Sequence, residues 1–314
     1  MKRGVYRSLG AALLLIALTA GAEDAPGTTS LAGDWRAVLL EQIARARKER
    51  PEAFARMDSA VSRVRLLDSR KRGTLASTSP LFRELGPEAL WPMVERLAFP
   101  SARAQEQAQG LEQDSARLAL TVGLMEAAGE LRDARLVPLW TELLETGADT
   151  RAPVLRAAAG ALARMQTLDA AQTLIALSRQ GGPRGEAAQE KLGECRRLVA
   201  VRALVDALAA RPGPEEARRL ARALGDAGSA WAWKTSGVSA RSEEGPMRRL
   251  AAEALVRAYS HYTGDVRQAL SNAVLRVDAP ETASLINEAR LHADESELAA
   301  LDALAERLKN NPLR

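Results

Sequence analysis

The side chains of this chain that could do chemistry are few, and they form no known catalytic pattern. The sequence has one cysteine, Cys195, and two histidines, His261 and His292. A zinc site needs several His, Cys or carboxylate ligands at short spacings, and the sequence has neither an HExxH helix nor a Cys/His cluster. Nucleophile motifs such as G-x-S-x-G and phosphate-binding glycine loops are also missing. We therefore expect no metal, no cofactor and no catalytic residue, and predict that the chain is not an enzyme.

His261 is the one histidine for which an acid–base role can be imagined. Tyr259 and Tyr262 flank it, and Asp265 follows four residues later. A surface or packed histidine is the simpler interpretation, and a hydrolase centred on His261 stays as a third hypothesis. Tyr259 and Tyr262 are retained as candidate binding residues.

A local anomaly in the sequence is the segment that carries Trp231, Trp233 and Lys234. Residues two apart on a helix point about 200° apart, so both rings cannot lie on one buried stripe. We expect at least one ring to be partly exposed, or the backbone to be irregular. An exposed tryptophan near a cation is typical of a binding hot spot. The alternative is that the rings fill a gap where a repeat is interrupted.

Arginines on either side of this segment could form a basic stripe, of which Arg218 and Arg249 are candidate binding residues. The other interpretation is that these side chains make ion pairs between neighbouring helices, with partners such as Asp226, Glu243 and Glu244. The whole set comprises Arg218, Arg219, Arg222, Arg248 and Arg249.

The elements that must position these residues are repeated short helices. Leu162, Leu192, Leu224 and Leu255 end similar small-residue helix patterns and are separated by 30, 32 and 31 residues. A period of this length indicates a solenoid, in which each helix pair buries its apolar face against the next pair. Alanines at three or four positions before these leucines would let neighbouring helices approach closely.

These repeats resemble the HEAT-repeat family, in the short bacterial form also seen in phycobilisome-lyase-like proteins. Residues 154–162 (VLRAAAGAL) and 247–255 (MRRLAAEAL) are similar to the second helix of that repeat, and residues 224–229 (LGDAGS) to its turn. The resemblance implies an all-α fold, a right-handed α-solenoid of stacked antiparallel helix pairs. It implies a scaffold rather than a chemistry, and no lyase site is carried over.

The repeat pattern divides the chain into two parts. Residues 31–114 are predicted to be degenerate amino-terminal helical repeats, and residues 115–314 a HEAT-like array with carboxyl-terminal capping helices. Similar segments around Pro92 and Pro138 are expected to form first helices of pairs that the proline kinks.

The first residues of the chain read as an export signal. Lys2, Arg3 and Arg7 precede an apolar run, and Ala20 and Ala22 form an A-x-A cleavage site. This pattern predicts a signal peptide over residues 1–22 and a linker over 23–30, with the protein periplasmic or extracellular. No later segment is apolar enough to span a membrane. Cys195 cannot form an internal disulfide and is expected to be a buried helix residue, with pairing between chains as the alternative.

The balance of basic and acidic residues indicates which classes of partner to expect. The full chain has 44 basic and 40 acidic residues, and the signal removes three of the basic ones, so the remainder has almost no net charge. A nucleic-acid partner is therefore not expected. We predict an exported scaffold that binds another protein, with a periplasmic small-molecule or glycan-binding protein using Trp231 and Trp233 as the alternative. The sequence names neither the partner nor the oligomeric state.

Overall fold

A computed structural model describes residues 31–99, 114–235 and 237–314 of the chain. The predicted signal peptide (1–22) and linker (23–30) lie outside the described residues, as do residues 100–113. Within the described ranges the chain forms fifteen α-helices joined by turns, with no β-strand. The helices alternate between two layers and stack as antiparallel pairs in serial order. The predicted all-α solenoid is confirmed.

Seven helices in the first layer each begin a pair, and seven in the second layer each complete one. The first-layer helices are α1 (Leu31–Glu49), α4 (Leu90–Ala98), α6 (Val137–Glu145), α8 (Leu168–Ser178), α10 (Leu198–Ala209), α12 (Glu244–His261) and α14 (Thr282–Arg290). The second-layer helices are α2 (Pro51–Ser69), α5 (Asp114–Glu130), α7 (Ala152–Arg164), α9 (Gly182–Lys191), α11 (Pro214–Ala227), α13 (Gly264–Val277) and α15 (Glu295–Lys309). The short helix α3 (Ser79–Arg83) lies between the first two pairs and packs on α5.

Small residues let the second-layer helices approach one another closely. A Cβ atom added to Gly129 of α5 would lie 2.7 Å from the Cβ of Ala161 on α7. One added to Gly193, just after α9, would lie 2.1 Å from the carbonyl oxygen of Ala223 on α11. Ala158 on α7 is fully buried. Successive helices of the second layer thus pack against one another through small residues.

Polar side chains on the second layer join successive helices. Arg156 on α7 donates to Glu190 on α9 at 2.8 Å. Gln189 on α9 donates to Glu216 on α11 at 2.9 Å and accepts from Arg219 at 2.7 Å. These contacts lie at or near the surface, where each is worth less than about 1 kcal/mol, so packing supplies most of the stability.

The two prolines of the first-layer segments do not kink their helices. Pro92 lies in the first turn of α4 and Pro138 in the first turn of α6, each after a short 3-10 turn. A proline in the first turn costs no helical hydrogen bond, because the first amide groups of a helix have no partner within it. The predicted kink was therefore wrong, and these prolines mark where the helices begin.

A continuous apolar core runs through the described residues from Leu39 on α1 to Leu308 on α15. The boundary predicted between residues 114 and 115 falls inside the second helix pair, because α4 packs on α5. Among the described helices, none is both long enough and apolar enough to cross a membrane.

Candidate binding surfaces

The two tryptophans of the anomalous segment point in opposite directions. They lie in the long loop, residues 228–243, which joins α11 to α12 and contains a 3-10 turn at Ala232–Lys234. The Trp233 side chain is buried, and its indole N–H donates to the Ala227 carbonyl at 2.9 Å. The Trp231 side chain is 62% exposed. The prediction that the two rings cannot share one buried stripe is confirmed.

Trp231 is the exposed aromatic residue of the loop, and its ring is held in place. Its indole N–H donates to the Leu313 carbonyl at 3.1 Å, and the Lys234 ammonium lies 5.0 Å from the ring centroid. Leu313 itself is exposed. Because Trp233 belongs to the core, a stacking wall made of both rings does not exist, and only Trp231 can meet a ligand.

The predicted basic stripe is divided between the two faces of the array. Arg218 lies on α11 in the second layer, whereas Arg249 lies on α12 in the first layer. Arg248 is held by the fold, since it donates to the carbonyls of Val277 and Asp278 at 3.1 and 2.7 Å. Proximity in sequence therefore does not make these arginines one surface.

Arg218 borders a groove of about 420 Å³ between α11 and α13 on the second layer. It pairs with Glu215 and lies 3.6 Å from Asp265. Arg222 and Arg276 also line the groove, and Arg276 pairs with Asp226. Partial burial raises the pKa of the Asp226 carboxyl, and the charge of Arg276 opposes that shift. Arg218 and Arg276 are thus paired with carboxylates, whereas Arg222 has no carboxylate within ion-pair distance in the part of the chain that the structure describes, so its charge is available to a partner.

The groove continues toward the exposed tryptophan. The backbone N–H of Ala230 donates to the Arg276 carbonyl at 3.1 Å, which joins the start of the long loop to the end of α13. Trp231 is the next residue. The loop that carries the exposed ring is therefore tied by its backbone to an α13 residue that lines the groove.

Arg249 lies apart from this groove, on the first layer. It borders a shallow depression of about 480 Å³ with Arg202, Gly245 and Pro246, between α10 and the start of α12. This depression and the groove of α11 and α13 are on opposite layers, so one ligand could not occupy both.

The two tyrosines beside His261 are held by the fold. Tyr259 is 5% exposed, and the Arg267 guanidinium lies 5.5 Å from its ring. The Tyr262 hydroxyl donates to the Pro212 carbonyl at 2.8 Å. His261 is exposed and lies 3.4 Å from Arg211, while Asp265 faces Arg218. The structure thus gives Asp265 a different partner from the one the sequence suggested.

Cys195 is fully buried at the end of the 3-10 turn that follows α9. Burial raises the pKa of its thiol to about 12, so the thiolate that would react or bind a metal is suppressed. In the ranges that the structure describes, no group of three or more His, Cys, Asp or Glu side chains could hold a metal ion.

Sequence reasoning missed several polar residues at the turns between pairs. Arg132, Gln166 and Arg196 each follow a second-layer helix and adopt positive φ angles of 53°, 54° and 47°. Glycine is the usual residue at such a position, because it has no Cβ to clash. A polar residue instead of glycine, at the same place in three successive turns, was the signal available in the sequence.

No protein-family model matches this sequence, and no curated protein matches it. Among solved structures, the chain is similar to human deoxyhypusine hydroxylase in complex with glycerol, with 17% sequence identity and a TM-score of 0.30. The similarity covers 81% of this chain and 97% of that one. At this identity and score it assigns no activity to the present chain.

One expectation from the sequence nevertheless needs correction. The absence of catalytic motifs in a helical repeat protein led to the prediction that the chain is not an enzyme. The similar structure is named as a hydroxylase. This finding contradicts the prediction that the chain is not an enzyme, and that prediction is not made again.

Proposed function

We propose that this chain is an exported helical-repeat scaffold that binds another protein along the inner, second-layer face. The observation that supports this most is the groove between α11 and α13, where Arg222 has no ion-pair partner among the described residues, beside the loop that carries the exposed ring of Trp231. An acidic segment of a partner would lie in the groove, and an apolar side chain of the partner would cover the indole face.

The groove suits a macromolecule better than a small ligand. Pockets for small molecules are concave and mostly apolar, and they enclose most of the ligand. This groove is open, and long polar side chains such as Arg222, Gln268 and Asn272 line it. Arginine and tryptophan are the residues enriched at the energetic centres of protein interfaces. Export is proposed from the signal-like residues 1–22.

The test is affinity capture from an envelope fraction with three baits: the wild type, Arg222→Glu and Arg202→Glu. Arg222 lines the groove, and Arg202 is an exposed arginine on the first-layer helix α10 that serves as the matched control. We expect a protein retained by the wild type and by Arg202→Glu to be lost with Arg222→Glu. Raised salt should weaken its retention, because exposed charges are screened.

Two results would count against the proposal. Equal retention by all three baits would remove the groove from the interface. Capture of no protein by any bait would remove the scaffold function itself. A fourth bait, Trp231→Ala, then separates the contact with the groove from the contact with the indole ring, since it keeps the groove intact and removes only the exposed ring.

A further inference from the structure

A second feature lies at the turns between helix pairs, and none of the groove residues lines it. Three successive turns between helix pairs meet there and enclose a polar cleft of about 380 Å³. The turn residues Arg132, Gln166 and Arg196 line it, together with Arg164, Glu130 and Glu194. The residues come from the ends of three different second-layer helices, so no single repeat builds the cleft.

The long loop covers these turns. Arg132 donates to the carbonyl of Gly237. The backbone N–H and the hydroxyl of Ser239 both donate to the side-chain oxygen of Gln166 at 3.0 Å. Thr235 of the same loop lines the cleft.

The orientation of the Gln166 side chain follows from these bonds. A backbone N–H can only donate, so the atom that accepts from Ser239 is the amide oxygen, and the amide nitrogen lies on the other side. Gln166 is 97% buried, and that nitrogen has no hydrogen-bond acceptor in the protein. A buried donor without an acceptor is costly, and evolution rarely keeps one without a use.

Two guanidinium nitrogens of the same cleft are also buried without an acceptor. Nη1 of Arg164 and Nε of Arg196 are buried and have no protein acceptor. Burial lowers the pKa of the Arg196 guanidinium; the negative charges of Glu194 and Asp226 oppose this shift, and the positive charges of Arg132 and Arg164 add to it. The unpartnered groups of the cleft are therefore all N–H donors, and two of them are positively charged.

The acidic residues of the cleft are already engaged with other cations. Glu130 accepts from Arg83 at 2.9 Å, and Glu194 accepts from Lys191 at 2.8 Å. Glu194 is 3.6 Å from Arg164, too long for a good hydrogen bond. The cleft thus has surplus positive charge together with surplus donors.

From this geometry we propose that the cleft binds a phosphate group, either free phosphate or a small phosphate monoester. The unpartnered donors come from two turns, Arg164 and Gln166 at the end of α7 and Arg196 after α9, and Arg132 of a third turn lines the same cleft. An anion with several oxygens, such as phosphate, could accept from all of these donors. Guanidinium groups bind phosphate with strong, charge-assisted hydrogen bonds. The proposal does not depend on the partner-binding groove, since no residue lines both the groove and the cleft.

The test uses the purified full-length protein in a buffer without phosphate, at constant ionic strength. Thermal melts are recorded with increasing inorganic phosphate, with glycerol 3-phosphate, and with succinate as the planar dianion. We expect a saturable rise in Tm with phosphate, because a ligand of the folded state stabilises it. A rise with both phosphates places a monoester in the site, and a rise with inorganic phosphate alone restricts it to the free ion. No saturable rise, or an equal rise with succinate, would overturn the proposal.

The variant Gln166→Glu gives the sharpest comparison. The new carboxylate keeps one oxygen for Ser239 and places the other where the phosphate would sit, within reach of the unpartnered guanidinium atoms. We expect Gln166→Glu to lose the phosphate-dependent rise and to melt no lower than the wild type without phosphate. Gln172→Glu makes the same chemical change at an exposed position of α8 and should keep the full response.

A second variant covers the case in which the glutamate disturbs the loop. Arg164→Gln removes one cation and keeps a polar side chain, so the phosphate Kd should rise by about tenfold or more. An unchanged phosphate response in both Arg164→Gln and Gln166→Glu would show that any phosphate effect arises elsewhere.

Discussion

Replacement of Gly193 by alanine tests the close contact between second-layer helices. The added Cβ would lie 2.1 Å from the Ala223 carbonyl oxygen and 2.9 Å from its carbonyl carbon. The first distance is about 1 Å shorter than a real Cβ contact, and the neighbour is backbone, so no side chain can turn aside. Either the α9 end or α11 must shift, and buried layers on both sides resist that shift.

Overpacking of this kind costs about 1 to 3 kcal/mol, and we expect the upper half of that range here. For a chain of this size the loss corresponds to a fall in Tm of roughly 3 to 10 °C. The assay is a thermal melt followed by circular dichroism, with urea unfolding as a second measurement of stability. Repeat arrays can unfold in stages, so both transitions should be compared over their whole width.

Gly245→Ala is the matched control. Gly245 is exposed in the first turn of α12, and a Cβ there would meet no atom within 4 Å. The control should be neutral or up to about 1 kcal/mol more stable, because alanine restricts the unfolded chain. If Gly193→Ala has the same Tm as Gly245→Ala, the end of α9 and α11 are not in backbone contact, and the description of the second layer is wrong.

Three further predictions concern buried residues. Trp233→Ala should lower the free energy of unfolding by about 3 to 5 kcal/mol through the cavity it leaves, whereas Trp231→Ala should lower it by less than about 1 kcal/mol. A similar loss for both variants in urea unfolding would contradict the burial of Trp233 and the exposure of Trp231. Native Cys195 should react with a disulfide reagent at pH 8 only as fast as the protein unfolds. The raised pKa of the thiol also contributes stability that is present below about pH 9 and is lost as pH rises toward 12. The difference in unfolding free energy between wild type and Cys195→Ala should therefore change across that interval. An immediate reaction with the reagent, or a constant difference, would refute the burial of the thiol. Ala158→Leu should lower stability by about 1 to 3 kcal/mol, and an unmoved melt would mean that Ala158 does not lie between helices.

The sequence was a good guide to the fold because the signal is local and periodic. Apolar residues at helical spacing, with alanine and glycine before each anchoring leucine, are enough to predict paired helices in series. Ala158 and Ala251 are both fully buried, as that pattern predicts. The prolines show where the reasoning went wrong: Pro92 and Pro138 were correctly assigned to first helices, but their exact position in the first turn depends on where each helix begins, which the pattern does not fix.

The candidate surfaces were predicted less well, because they depend on contacts between distant residues. Helix geometry alone required that Trp231 and Trp233 diverge, but it could not say which ring is buried. That choice follows from the path of the long loop, which has an irregular backbone and no period. The same loop brings Ser239 to Gln166, a residue two helix pairs earlier in the stack.

The amino-acid sequence by itself therefore determined that helices pair and stack in series, since this depends on the 3.6-residue helical repeat and on small residues between neighbours. The assignment of residues 247–255 to a second helix was wrong: they lie in the first-layer helix α12, because the long loop that precedes α12 interrupts the period.

Tertiary structure alone decided which polar residues share a surface. It separated Arg218 from Arg249 by placing their helices in different layers, and it brought Arg132, Gln166 and Arg196 together from three turns. The physical reason is that stacking puts residues about one repeat apart in sequence next to one another in space, whereas neighbours in sequence can face opposite sides of the array.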